Sequence, residues 1–184
     1  MRTKEGLEMA GKVCAFEKEH GVHVPRDKFV DDAIETAIKA EQKEEMVYAD
    51  AAARAANYHV KDLLAWLATE EERHAETLTG LKDCLKSAGR WVAGAHEIED
   101  RPPLPVVPKG ERQSVSKDEL RVLIAAMNAE KKSIDYYHGL AKKARHAGAK
   151  TFFKKMADYE QEHYDKLDSL FENLSKLEPA TQTI

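Results

Sequence analysis

The chain has 184 residues, room for one domain with a substantial core, and its 34% charged, 42% hydrophobic and 7% aromatic residues favour long amphipathic helices over a sheet. A net charge of −4 provides no electrostatic footprint for nucleic acid, and no apolar run approaches the roughly 20 residues of a membrane span. Cys14 and Cys84 form no paired motif, which supports neither a disulfide framework nor a Cys-based zinc site; with no signal-peptide core at the N-terminus, the expected compartment is cytoplasmic.

Residues 1–30 read as an N-terminal extension, with Leu7, Ala10, Val13 and Cys14 on one side of a short packing helix over 4–20. A long helix is predicted from about Asp31 to Asn57 behind an acidic first turn, which suits the positive end of the helix dipole. Its inward stripe is Ile34, Ala37, Ile38, Glu41, Glu45, Tyr48, Ala52 and Ala55, so Glu41 interrupts an apolar face, where an unpaired carboxylate is costly. A brief turn leads to a second helix over about 60–88, with Leu64, Leu67, Glu71, His74, Leu78, Leu81 and Leu85 inward; the short connection makes the two antiparallel.

Residues 89–115, rich in Pro and Gly, cannot sustain a helix, and they read as a crossover running the length of a bundle with Trp91 anchoring it outside. A third helix starts at the capping box Ser116-Lys117-Asp118-Glu119 and runs to about His146, where Ala147-Gly148 supplies the stop. Its stripe is Leu120, Leu123, Met127, Glu130, Ile134, Tyr137 and Ala141. The fourth helix, about 149–176, turns Phe152, Phe153, Met156, Glu160, His163, Leu167, Leu170, Phe171 and Leu174 inward. The bundle domain spans 31–178, as hairpins 31–88 and 116–176, and the polar stretch 179–184 reads as a frayed tail. The fold class is all-α, an antiparallel four-helix bundle with a long crossover between its second and third helices.

The hairpins are copies of one another. Glu41, Tyr48, Glu71 and His74 recur as Glu130, Tyr137, Glu160 and His163, each 89 positions later, and the rows Leu64, Leu67, Leu78, Leu81 and Leu85 recur as Phe153, Met156, Leu167, Leu170 and Leu174. Each Glu-x-x-His places a carboxylate and an imidazole one turn apart on one face. A pseudo-twofold then brings four carboxylates and two imidazoles into a dry interior, which two divalent cations neutralise. By symmetry Glu71 and Glu160 bridge both ions, Glu41 and Glu130 are terminal, and His74 and His163 give one nitrogen each, a donor set suited to iron or manganese. Tyr48 and Tyr137 face the same interior and could hydrogen-bond the opposing carboxylates; a core aromatic and a redox role fit them equally. Glu44, Glu45, Glu72 and Glu162 read as flanking or surface charges, the Lys pairs at 131, 142 and 154 as solvated faces, and His59, His96, His138 and His146 as exposed.

The runs Ala37-Ile-Lys-Ala-Glu41 to Tyr48, Leu67-Ala-Thr-Glu-Glu71-Glu-Arg-His74, Ala126-Met-Asn-Ala-Glu130 to Tyr137 and Met156-Ala-Asp-Tyr-Glu160-Gln-Glu-His163 resemble a rubrerythrin-type ferritin-like domain over about 31–176. The resemblance implies reduction of hydrogen peroxide, or dioxygen, at a carboxylate-bridged di-iron centre with Glu41, Glu71, His74, Glu130, Glu160 and His163 as ligands. Two departures stand out. There is no rubredoxin domain with Cys-x-x-Cys pairs, so electrons come from a separate donor such as a rubredoxin. Where the family carries a further glutamate that exchanges with a histidine, one turn after Glu130, this chain has Ser133. A cytoplasmic homodimer is expected. Iron handling, as a ferroxidase or storage protein, and a metal-clamped bundle serving subunit association are the alternatives.

Overall fold

The computed structural model describes residues 28–88 and 114–176. Four helices account for nearly all of them: α1 (Lys28–Arg54), α2 (Tyr58–Ala88), α3 (Lys117–Lys143) and α4 (Ala147–Ser175). No helix among the described residues is long and apolar enough to cross a membrane. The expectations for residues 4–20, Trp91, His96 and the tail fall outside the described residues.

Local chemistry sets the helix ends. The Asn57 side-chain oxygen accepts from the backbone N–H groups of His59 and Val60, at 3.0 and 3.2 Å, and so caps α2. At α3 the predicted capping box is present: Ser116 Oγ accepts from the Glu119 N–H at 3.1 Å, and the Glu119 carboxylate accepts from the Ser116 N–H at 2.8 Å. Ala147 and Gly148 begin α4 rather than stopping α3, because His146 Nδ1 accepts the Gly148 N–H at 3.2 Å and acts as the cap. His146 thus has a structural task, and His59, expected to be exposed, is buried. Cys84 also departs from expectation, being buried and disulfide-bonded.

Two apolar clusters fill the bundle, one toward each end. One joins Val30 to Ile38 of α1 with Leu78, Leu81 and Leu85 of α2, Tyr137 and Leu140 of α3, and Phe152, Phe153 and Met156 of α4. The other joins Tyr48 and Ala52 with Val60, Leu64 and Leu67, Leu123 and Ala126, and Leu167, Leu170 and Leu174. The first therefore takes the start of α1, the end of α2, the end of α3 and the start of α4; the second takes the opposite halves. This is an antiparallel four-helix bundle in which the chain leaves α2 at one end and enters α3 at the other, as a crossover connection requires. The middle turn of every helix is left to polar side chains.

Glu119 also ties the hairpins together, since its Oε1 accepts from the backbone N–H groups of Ala56 and Asn57 at 2.9 and 2.7 Å. Burial opposes its charge, but the donors on Asn57 and Ser116 outweigh it and hold the carboxyl below its ordinary value of 4.5. Its contribution is present above that value and is lost as pH falls through the lowered pKa. Glu119→Ala is expected to cost about 1–3 kcal/mol through the lost cap and the orphaned N–H groups. In a domain of this size each kcal/mol lowers Tm by about 2–4 °C, which thermal circular dichroism would read.

Candidate metal centre

Glu41, Glu71, His74, Glu130, Glu160 and His163 all lie at mid-bundle between the two apolar clusters, and none is more than 1% exposed. Helical spacing explains this: each is in register with the leucine and alanine rows that α1 to α4 turn inward, so burying those rows carries the polar groups in with them.

The two imidazoles define the geometry. Their rings stack at 5.2 Å between centroids, tilted by 16°. Around His74 Nδ1 lie Glu71 Oε2 at 2.9 Å, Glu160 Oε1 at 3.2 Å and Glu41 Oε2 at 3.6 Å. Around His163 Nδ1 lie Glu71 Oε1 at 3.0 Å, Glu160 Oε2 at 3.7 Å and Glu130 Oε2 at 3.7 Å. Glu71 and Glu160 each direct one oxygen toward one imidazole and the second oxygen toward the other. Glu41 faces only the His74 side, and Glu130 only the His163 side.

Tyr48 Oη donates to Glu130 Oε1 at 2.6 Å, and Tyr137 Oη donates to Glu41 Oε1. Each tyrosine therefore reaches across from its own hairpin to the terminal carboxylate of the other. The tyrosine hydroxyls occupy one oxygen of each terminal carboxylate and leave the other aimed inward. Trp66 packs edge-on against His163 at 5.5 Å, and Tyr159 lies against His74 at 5.7 Å, so the rings are held in their orientations by apolar walls.

Two further carboxylates join this centre. Glu70 is 1% exposed, with Oε2 3.9 Å from His163 Nε2, the nitrogen facing away from the cage. Glu44, read from the sequence as a flanking charge, is partly buried beside Glu71 and Glu160, and Ser133 Oγ donates to its two oxygens at 3.3 and 3.4 Å. Both lie on a spacing of alternate three and four residues: Ala37, Glu41, Glu44, Tyr48, Ala51 on α1 and Leu63, Leu67, Glu70, His74 on α2. That narrower seam, rather than the stripe through Glu45, carried the signal.

Burial and the nearby Glu160 raise the Glu41 carboxyl well above the usual carboxylate range. Burial raises Glu130 likewise, with Glu71 adding to it against a hydrogen-bonding contribution from His163. Burial resists charge on both imidazoles, yet Glu71 outweighs it and holds His74 and His163 well above their ordinary value. Burial also resists ionisation of Glu71 and Glu160, but the imidazoliums keep both below the ordinary carboxyl value. Burial, then Glu71 and Glu160, lift Glu44 to about 8. Protons thus offset the charge of the metal-free cage: the imidazoles hold theirs more tightly against Glu71 and Glu160, and Glu41 and Glu130 are shifted toward the protonated form.

The donor atoms fit metal ions. Glu41 Oε2, Glu71 Oε1, Glu130 Oε2, both oxygens of Glu160 and His163 Nδ1 are buried with no hydrogen-bond partner, although several approach one another within about 3–4 Å. Buried oxygens turned toward a common centre, with only the two imidazoles to share as donors, are costly until a cation satisfies them. One atom each from Glu71, His74, Glu160 and His163 lies within 4.8 Å of the others, and so does one each from Glu41, Glu44, Glu71 and Glu160. The first group holds both imidazoles and the second only carboxylates, and they share Glu71 and Glu160; together with Glu130 beside His163 they make an oxygen-rich donor set that suits a pair of metal ions.

A family model described as Rubrerythrin matches residues 32–171. No curated protein matches the chain. The solved structure of a hypothetical protein from Pyrococcus furiosus is similar at 26% identity and a TM-score of 0.59, the match covering 79% of this chain and 90% of that one.

Proposed function

The chain belongs to the rubrerythrin family, and from that premise we propose that it is an oxidoreductase that holds two iron ions at mid-bundle and reduces hydrogen peroxide, or dioxygen, there. The observation that carries this reading is the division of six buried donors into two equivalent half-sites by Glu71 and Glu160. Glu41 and His74 would complete one half-site, and Glu130 and His163 the other. When bound, such an iron pair supplies two electrons to the O–O bond.

The protein's own groups account for the rest. Glu71 and Glu160, each presenting one oxygen to each side, would hold both ions. The tyrosine hydroxyls keep their protons, because burial and then the carboxylates they serve, Glu130 for Tyr48 and Glu41 for Tyr137, raise both above the ordinary phenol value. They remain hydrogen-bond donors throughout and hold the terminal carboxylates in place. The apolar clusters above and below exclude bulk water, which strengthens every charge interaction inside. Reducing one peroxide to two waters consumes two electrons and two protons, and the electrons come from a separate protein donor.

The test is anaerobic reduction of the iron-loaded protein, followed by rapid mixing with hydrogen peroxide or with air-saturated buffer. Ferric absorbance should develop faster with peroxide than free ferrous ion gives under the same conditions, and should cycle when reductant is restored. Oxidation no faster than that of free ferrous ion by either oxidant would reject the reading.

A further inference from the structure

The two half-sites are related by the repeat, and side chains at equivalent positions that touch each other mark its axis. His74 and His163 do so by stacking at 5.2 Å. Glu44 and Ser133 are the second such pair: they are 89 positions apart, and the serine hydroxyl reaches both oxygens of the glutamate at 3.3 and 3.4 Å. Glu44 therefore lies beside the axis that passes between the half-sites. Its repeat counterpart offers a hydroxyl instead of a carboxylate, so the symmetry obeyed by all six donors fails here.

We propose that Glu44 is a seventh protein ligand, contributed by one hairpin alone, which makes the two cation sites unequal. The inference rests on the two-metal reading above. One Glu44 oxygen lies within 4.8 Å of oxygens of Glu41, Glu71 and Glu160. Within that quartet Glu41 Oε2, Glu71 Oε1 and both Glu160 oxygens are buried and have no hydrogen-bond partner. These orphaned acceptors, and not the acidity of the cluster, indicate that a cation belongs among them. A fifth carboxylate adds negative charge and one more oxygen, which favours a hard divalent ion over a neutral-donor metal. Ser133 donates its hydroxyl to this carboxylate and so orients it beside the quartet. The consequence is ordered loading, with one ion entering more tightly than the other.

Titration of metal-free protein with Mn(II), with free ion followed by electron paramagnetic resonance, reads both sites without turnover. Wild type should take up two ions with distinct constants. Glu44→Gln keeps the shape and removes the charge; it should weaken one of the two by at least about tenfold, the scale on which even partners one bond further out act. Glu45→Gln, on the neighbouring position, should bind as wild type does, and helical circular dichroism of the metal-free variants would confirm that both fold. Two constants in Glu44→Gln within twofold of wild type would overturn the proposal while leaving the two-metal reading intact. A wild type that takes up no Mn(II) or Fe(II) would instead sink that reading and this inference with it.

Discussion

Glu160→Ala should strip the protein of both metal ions, whereas Glu162→Ala should leave its metal content unchanged. Glu160 presents one oxygen 3.2 Å from His74 Nδ1 and the other 3.7 Å from His163 Nδ1, so a single truncation removes a donor from both half-sites. Each site would lose an anionic oxygen, and the loss per site should be at least as large as the 10–100-fold that outer partners command. Glu162 is two residues further along α4, which carries it away from the interior onto an exposed face. Elemental analysis after dialysis reads the difference. Helical circular dichroism of the metal-free Glu160→Ala protein, in which His74 and His163 lose a charged neighbour, separates loss of metal from loss of fold. Equal metal loss in both variants would mean that the interior face of α4 had been misassigned.

Loading the metal-free protein should raise its Tm sharply and release protons, and both effects depend on pH with a definite sign. His74, His163, Glu41 and Glu130 all hold protons more tightly folded than unfolded. For the imidazoles, the resulting stability is fully present below 6.5 and is lost as pH rises through their raised values. For Glu41 and Glu130, the same loss begins as pH climbs past 4.5. Glu71 and Glu160 behave oppositely, stabilising above 4.5 and failing as pH falls. In the metal-free state, then, alkali destabilises the centre, while metal ions compete best where protons are scarce. The gap in Tm between loaded and metal-free protein should widen as pH rises. With each site at roughly 100 times its Kd, two sites contribute about 5 kcal/mol, which corresponds to about 10–20 °C. Near neutrality loading should expel protons, read in weakly buffered solution, because ligands bind metal deprotonated. A Tm gap that closed as pH rose would contradict the charge arrangement described here.

The sequence exposed the symmetric part of this centre and concealed the asymmetric part, for one physical reason. A donor needed in both half-sites must recur at the same helical phase in both hairpins, so Glu41 with Glu130, or Glu71 with Glu160, announce themselves through the repeat. The same holds for Tyr48 and Tyr137, whose crossed hydrogen bonds follow from facing one interior. Glu44 has Ser133 as its counterpart, and Glu70 has Tyr159, so matching the halves filters both glutamates out. They are legible only from burial, which depends on how closely the helices approach. His59 and His146 were hidden differently: one is buried by tertiary packing, and the other supplies a cap through a ring nitrogen. The helix interiors followed from periodicity alone, whereas the boundary at Ala147-Gly148 turned on that single cap. Glycine composition suggested a stop where the structure has a start.

The most direct measurement is anomalous diffraction from crystals of the iron- or manganese-loaded protein, collected at the absorption edge of the metal. Two peaks should appear between Glu71 and Glu160, separated by roughly 3.5–4 Å as in other two-metal sites, one toward His74 and one toward His163. An ordered bundle with no peak in its interior, or with metal only on surface carboxylates, would contradict the account.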